Sequence, residues 1–167
     1  MYTFSVNLML SKRGNYVVLS ALALAWAYES GEYRKIREVV SSVKVPQTFA
    51  SQILAGLVRA ELATSKAGKD GGYILTRPPE EITMLEIIEA GEGPLRAERC
   101  ALKDGPCQWD FVCPLHWIWG DSIAAFRETL ANVTLANLVE NDQALKLKTF
   151  PMPAESHRPG ALQLKKG

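Results

Sequence analysis

The chain has 167 residues, of which 47% are hydrophobic and 22% are charged, and its formal net charge at pH 7 is +1. This length predicts one globular domain, or one small domain with an appendage. An odd number of cysteines argues against a closed disulfide framework, and the longest apolar run, Tyr16 to Tyr28, is too short to cross a bilayer. Because no secretory signal is recognisable, we expect a cytoplasmic protein with reduced thiols and no membrane association.

The near-neutral total conceals three regions of different charge. Residues 1–79 carry ten Lys and Arg against five Asp and Glu, residues 80–145 carry four against twelve, and residues 146–167 carry five against one. A basic first region suits a polyanionic partner such as nucleic acid, whereas the acidic middle does not. On charge alone, chance clustering on solvated surfaces explains the pattern equally well.

Three helices are predicted in the first region. Ser11 opens a helix whose apolar residues recur every three or four positions, and Gly31 ends it. A second helix is predicted from Arg34 to Ser42, and Pro46 suits the first residue of a third. The apolar stripe of that third helix consists of Phe49, Ile53, Leu54 and Leu57. Two short helices joined by a tight turn predict a helix-turn-helix.

A β-hairpin is predicted directly after the third helix, with strands at residues 62–65 and 73–76 around a glycine-rich turn. This order is that of a winged helix, which binds double-stranded DNA. The side chains expected on base edges are those of the polar helix face, Thr48, Ser51 and Gln52. The cations expected on phosphates are Lys12, Arg13, Lys66 and Lys69. The alternative is a solvated helix face beside a flexible hairpin.

The acidic region predicts three further helices. Thr83 and Glu86 form a capping box that opens the fourth helix, which ends near Gly91 and Gly93. A long helix is predicted from about Pro114 to Ala131, with a regular apolar stripe of Leu115, Trp119, Ile123, Phe126 and Leu130. The stripe packs either on the chain's own core or on a second subunit. Thr134 caps a short last helix, and residues 146–167 read as a disordered tail.

All three cysteines and one of the two histidines lie within seventeen residues, as Cys100, Cys107, Cys113 and His116. Thiolates and imidazole bind zinc or an iron–sulfur cluster, so this segment is the candidate metal site. Cys113 and His116 are three residues apart at the expected start of the long helix, which would put them on one face. The alternative is three unrelated structural cysteines and a surface histidine.

Four stretches together resemble the Rrf-two family of iron–sulfur cluster regulators, bacterial winged-helix transcription factors. They are LSKRGNYVV, DGGYILTRPPEEITMLEIIEA, CALKDGPCQWDFVCPLHW and LANVTLANLV. The resemblance implies a homodimer that binds a partly palindromic DNA operator, and a cluster whose state changes DNA affinity. It also implies cluster ligation by the three cysteines. His116 stands where one subgroup has its fourth ligand, which favours [2Fe–2S] over [4Fe–4S].

Two departures from the family pattern are visible. The first gap in Cys-x6-Cys-x5-Cys has one residue more than the nearest pattern, and Ala67 stands where an arginine often precedes the wing glycine. Asn15 occupies the place of a carboxylate ligand used by another subgroup and is a poor ligand itself. A [4Fe–4S] cluster with Asp104 or Asp110 as the fourth donor stays open.

The chain is therefore expected to be mainly α with a small β-hairpin, a winged helix-turn-helix joined to a long dimerisation helix. Its predicted regions are a DNA-binding domain (1–79), a cluster-binding loop with dimerisation helices (80–145) and a disordered tail (146–167). We expect a transcriptional regulator, not an enzyme, that senses iron–sulfur, redox or nitric oxide status. The alternatives are a DNA-binding protein with a structural zinc site and a small iron–sulfur electron carrier.

Overall fold

The structure, a computed structural model, describes residues 10–95, 112–147 and 149. The described chain is mainly helical, with one antiparallel hairpin and a short 3-10 turn at Pro79–Glu81. Its elements, in chain order, are α1 (Lys12–Ala25), α2 (Ile36–Val43), α3 (Gln47–Arg59), β1 (Ala63–Lys66), β2 (Gly72–Leu75), α4 (Met84–Glu92), α5 (His116–Ala131) and α6 (Leu135–Lys146). None of the described helices is long and apolar enough to cross a membrane.

The start of α1 agrees with the sequence prediction, and its end does not. The Ser11 side chain accepts hydrogen bonds from two backbone N–H groups of the first turn, at 3.1 and 3.2 Å, so a serine cap opens the helix as expected. The helix ends at Ala25, and irregular turns follow as far as Gly31, which takes a φ of 66°. The glycine therefore closes the connection after α1 and not α1 itself.

The helix-turn-helix prediction for α2 and α3 is confirmed, with small shifts at the boundaries. α2 begins at Ile36, where the backbone N–H of Lys35 donates to the Glu38 carboxylate at 2.9 Å. Lys44 ends α2 in the left-handed region with a φ of 55°. Pro46 is the N-cap residue of α3, so the helix begins at Gln47, one residue later than predicted.

A third segment of chain pairs with the hairpin. β1 and β2 pair antiparallel with Ala63 opposite Leu75 and Lys66 opposite Gly72. Arg34, which precedes α2, exchanges both backbone hydrogen bonds with Tyr73 of β2 at 2.9 Å each. A Cβ atom at position 72 would lie 2.5 Å from the Arg34 carbonyl oxygen, so only glycine permits this close approach. The hairpin, which is the wing of the winged helix, is thereby fixed to the segment that leads into the helix-turn-helix.

The core lies where α1, α3 and α4 meet. Its most deeply buried large side chains are Leu24, Ile53, Leu54, Leu57, Leu62, Ile82, Ile87 and Leu135. Leu135 belongs to α6, and its N–H donates to the Ile82 carbonyl at 2.8 Å, while the Met84 N–H donates to the Val133 carbonyl at 2.8 Å. These two bonds join the starts of α4 and α6, so the C-terminal helix completes the core of the DNA-binding part.

α5 differs from the other long helices because none of its residues is buried. It begins at His116, two residues after the predicted start near Pro114, and it ends at Ala131 as predicted. The predicted apolar stripe is only partly buried along its length, and Trp117 and Ile118, outside the stripe, are 63% and 62% exposed. α6 is longer than predicted and continues to Lys146. Apart from Lys146, Leu147 and Thr149, the predicted tail lies outside the described residues.

Candidate nucleic-acid interface and metal-ligand segment

The polar face of α3 is presented to solvent as the sequence predicts. Thr48, Ser51 and Gln52 are all exposed in the first two turns of the helix. The opposite face packs into the core through Ala50, Ile53, Leu54 and Leu57, none of which is more than 2% exposed. The helix is therefore held rigidly by its apolar side, with the predicted base-contacting residues free to meet a ligand.

Phe49 does not belong to the buried stripe in which the sequence placed it. Its side chain is 49% exposed and rests on Tyr16 of α1, with ring centroids 5.8 Å apart and planes tilted by 43°. This contact brings the N-terminal half of α1 beside the first turn of α3. Lys12 and Arg13, one turn before Tyr16, are also exposed. Two of the predicted phosphate-binding cations thus lie in the part of α1 that contacts the first turn of α3.

The two wing cations are held by the hairpin. Lys66 ends β1 and Lys69 lies in the turn, and both are exposed. The Lys66 Nζ atom lies 5.8 Å from the centre of the Tyr33 ring, within the range of a cation–π interaction. Tyr33 directly precedes Arg34, which pairs with Tyr73 of β2. The contact of Lys66 with Tyr33 and the pairing of Arg34 with Tyr73 therefore both attach the wing to the segment before α2.

Sequence reasoning missed three exposed cations around α2. Lys35, Arg37 and Lys44 all lie at or beside the helix that precedes α3 and are solvent-exposed. Their charge enters the excess of positive charge over residues 1–79, but no spacing singled them out. The basic surface therefore extends beyond α1 and the wing.

Two of the four predicted metal ligands lie in the described residues. Cys113 and His116 flank one turn at the start of α5, where the His116 backbone N–H donates to the Cys113 carbonyl at 3.1 Å. Both side chains are partly exposed, and Cys113 is not in a disulfide. The His116 ring meets the Trp117 ring edge-on, with centroids 5.1 Å apart. A soft and a borderline donor on one tight turn fit zinc or iron.

Cys100 and Cys107, together with the alternative donors Asp104 and Asp110, lie outside the described residues. Within the residues that are described, no three His, Cys, Asp or Glu side chains gather in a group that could hold a metal ion. Convergence of all four predicted ligands therefore stays a prediction.

The last turn of α4 contacts the start of α1. The backbone N–H of Ser11 donates to the Glu92 carboxylate at 2.8 Å. A Cβ atom at position 14 would lie 2.1 Å from the same carboxylate oxygen, so Gly14 makes room for it. A carboxylate at a helix N-terminus is favourable because the helix dipole is positive there. Glu92 thus positions the first turn of α1, which contains Lys12 and Arg13.

A second contact joins the end of α4 to α5, and we refer to Glu89, Leu95 and Arg127 as the α4 clamp. The Arg127 guanidinium pairs with the Glu89 carboxylate and donates to the Leu95 carbonyl at 2.7 Å. The Leu95 N–H donates to Glu89 at 2.9 Å. Leu95 is the last described residue before the segment that contains Cys100, Cys107 and Cys113, which we call the cysteine segment. The clamp therefore joins the residue that leads into this segment to α5.

Glu86 lies in a small network of hydrogen bonds that shifts its pKa. Burial alone would raise the pKa of Glu86, but the opposing hydrogen bonds outweigh it. These come from Arg77 at 2.8 Å and from the backbone and hydroxyl of Thr83 at 2.8 and 2.9 Å. The pKa of Glu86 is therefore lower than its ordinary value. The capping box predicted from Thr83 and Glu86 is confirmed.

Comparison with known proteins identifies the family. The profile of Rrf2, described as an iron-dependent transcriptional regulator, matches residues 10–141. The chain belongs to the Rrf2 family. The match runs from the start of α1 into α6, so it includes the winged helix, the cysteine segment and α5.

A relative agrees with this assignment, and two solved structures share the fold. The chain is 32% identical over 136 residues to the HTH-type transcriptional regulator IscR of Sodalis glossinidius, covering 81% of each chain. The structure of T. potens IscR has a TM-score of 0.65 at 23% identity and covers 87% of this chain and 94% of its own. CymR, the global cysteine regulator of B. subtilis, has a TM-score of 0.64 at 24% identity, with 80% and 98% covered.

These findings confirm the predicted winged-helix fold and the resemblance on which it was based. They also confirm that this Rrf2 protein is a DNA-binding transcriptional regulator, since its relatives are regulators of transcription and not enzymes.

Proposed function

We propose that this Rrf2 protein is a cytoplasmic homodimer that binds a partly palindromic operator and senses iron–sulfur, redox or nitric oxide status. In this proposal Cys100, Cys107, Cys113 and His116 hold an iron–sulfur cluster, [2Fe–2S] rather than [4Fe–4S]. The α3 face enters the major groove, where Thr48, Ser51 and Gln52 contact base edges. The phosphate contacts come from Lys12, Arg13, Lys66 and Lys69.

One observation carries the proposal more than any other. Cys113 and His116 occupy a single turn at the start of α5, and their backbones are joined by the 3.1 Å hydrogen bond. The family description as iron-dependent regulators supports iron as the bound metal. An imidazole in place of a fourth thiolate removes one negative charge, which favours a higher reduction potential. When bound, such a cluster supplies a reversible redox centre.

The chain's own contacts offer a route from that segment to the DNA-binding surface. The α4 clamp fixes Leu95, at the entrance of the segment, to α4 and α5. Three residues before Leu95, Glu92 accepts from the N–H of Ser11, next to Lys12 and Arg13. A change in the segment that moves Leu95 would therefore act on the end of α4, and through Glu92 on the start of α1.

The exposed surface of α5 supports a dimer. No residue of this helix is buried within the chain, although Trp117 and Ile118 are large apolar side chains. Exposed apolar surface on a long helix is typical of a protein–protein interface. A second copy of α5 is the partner we propose, because two identical winged helices match the two half-sites of a partly palindromic operator.

Anaerobic purification followed by iron, sulfide and zinc analysis tests the cluster. We expect iron and sulfide in the protein and a Mössbauer spectrum of a two-iron centre. Zinc in place of iron would support the structural-zinc alternative and contradict sensing by the cluster.

The ligand assignment is tested with Cys107→Ala. We expect this variant to lose the cluster absorbance and to keep the far-UV circular dichroism of the folded winged helix. Full absorbance in the variant would remove Cys107 from the ligand set.

A further inference from the structure

Phe49 is a large apolar side chain on an otherwise polar surface. Its neighbours Thr48 and Ser51 are polar and exposed, and the core residues of the same helix are at most 2% exposed, against 49% for Phe49. Half of the ring therefore contacts water in the chain as it stands. Leaving this much apolar surface in water is unfavourable, and a ligand that covers it would gain binding energy.

The Phe49 ring is held by a contact with α1. Tyr16 packs against it at a centroid distance of 5.8 Å and belongs to α1, which is itself anchored in the core. Gln52 lies three residues further along α3 and shares the same face of the helix. The uncovered part of the Phe49 ring therefore borders the residues proposed to contact base edges.

The chemistry of the major groove limits what this ring can recognise. Base edges present hydrogen-bond donors and acceptors, and thymine adds a C5-methyl group. Phe49 has no side-chain donor or acceptor, so it gains only from apolar contact. We propose that Phe49, braced by Tyr16, contacts a thymine methyl group in each half-site and makes the operator selective for thymine at that position.

The inference rests on the proposed entry of α3 into the major groove, and it does not require the cluster. One neighbouring side chain competes for the role. Thr48 is exposed and also carries a methyl group, which can contact thymine. Thr48→Ser removes that methyl and keeps the hydroxyl, so it is a matched control for Phe49→Ala.

The experiment replaces thymine by uracil, which lacks only the methyl group. Duplex sites are first enriched from a random library with the full-length, cluster-loaded protein, and each thymine is then replaced singly. For the unaltered protein we expect one position per half-site at which uracil weakens binding about fourfold, the effect of one buried methyl group. The ratio of the Kd values for the uracil and thymine duplexes should fall to about one with Phe49→Ala. The same ratio should stay at about four with Thr48→Ser.

Three results would overturn the inference. They are the absence of any uracil-sensitive position, a fourfold ratio that survives Phe49→Ala, and a ratio abolished by Thr48→Ser alone.

Gln52→Ala separates this inference from the proposed function. If Gln52→Ala alters base preference and Phe49→Ala does not, only the thymine contact is wrong. If neither variant alters base preference, reading by α3 fails as well.

Discussion

Single side chains at helix ends determine how the elements of this chain meet. Thr83 and Thr134 each cap a helix, with backbone N–H groups donating to their hydroxyls at 3.2 and 3.3 Å. These two caps face each other in a short antiparallel bridge. A cap of this kind stabilises a helix by about 1 kcal/mol, and here it also sets where the neighbouring helix begins.

Glu86 makes acid stability testable at the scale of one residue. Because the pKa of Glu86 is lower in the folded chain than its usual value of 4.5, its carboxylate stabilises the fold above that value. This stabilisation is lost as the pH falls through the folded pKa. We expect Glu86→Gln to lower the free energy of unfolding at pH 7 by less than about 1 kcal/mol, since the partners are more than a third exposed and water screens the pair.

Urea unfolding of both proteins between pH 7 and about pH 3 checks this prediction, because the difference between them should shrink on acidification. Glu80→Gln, a change of an exposed glutamate in the preceding turn, serves as the control. A difference that stays constant with pH would contradict the assignment.

At the scale of elements, α4 has contacts at both ends with different consequences. Arg77 pairs with Glu86 at its start, and Arg127 of α5 pairs with Glu89 near its end. Only the second pair also holds Leu95, the entrance of the cysteine segment. The two arginines have similar exposure, 37% each, so they form a matched pair for mutation.

We expect Arg127→Gln to weaken the coupling between the cysteine segment and DNA. The ratio of DNA Kd values for cluster-free and cluster-loaded protein should move towards one, because Leu95 loses its link to α5. Arg77→Gln should lower thermal stability to a similar extent and leave the ratio unchanged. Gel-shift titrations of both forms measure the ratio, and equal effects of the two variants would argue against the α4 clamp as the route.

At the scale of the whole molecule, the proposed dimer depends on α5. We expect Ile118→Glu to weaken self-association by at least about tenfold, because a charge would be buried in an apolar interface. Leu147→Glu is the control, since Leu147 is 73% exposed but lies beyond the end of α6. Analytical ultracentrifugation over a range of concentrations measures both, and an unchanged dimer in Ile118→Glu would exclude this part of α5 from the interface.

The affinity of the whole protein for DNA should also depend on salt. Each phosphate contact releases counterions, so log Kd should rise linearly with log salt concentration. We expect Lys69→Ala to reduce that slope by about one unit for each phosphate it contacts. Gln52→Ala should weaken binding with no change in slope, because an amide neutralises no charge. A slope unaffected by Lys69→Ala would remove the wing turn from the phosphate contacts.

Local chemistry predicted most of the element order, and distant contacts account for the errors. The caps at Ser11, Thr83 and Thr134 were readable because each depends on residues three positions away. Phe49 was assigned to the core because its spacing matches the apolar stripe, whereas the neighbouring Tyr16 comes from another helix. The α4 clamp had no sequence signal, since Arg127 meets Leu95 across 32 positions of chain.

The bridge between Thr83 and Thr134 has a consequence for how such regulators diversify. α4 ends at Glu92, and the chain is back at the start of α4 at Val133, whose carbonyl accepts from the Met84 N–H. Of the residues described between these points, Leu95 and Leu130 pack against the core and Arg127 pairs with Glu89. A replacement for this stretch would have to keep equivalent contacts to leave the winged helix intact. We therefore expect the segment that we propose to hold the cluster to be exchangeable for one that responds to another signal, provided that these contacts with α4 and the core are kept.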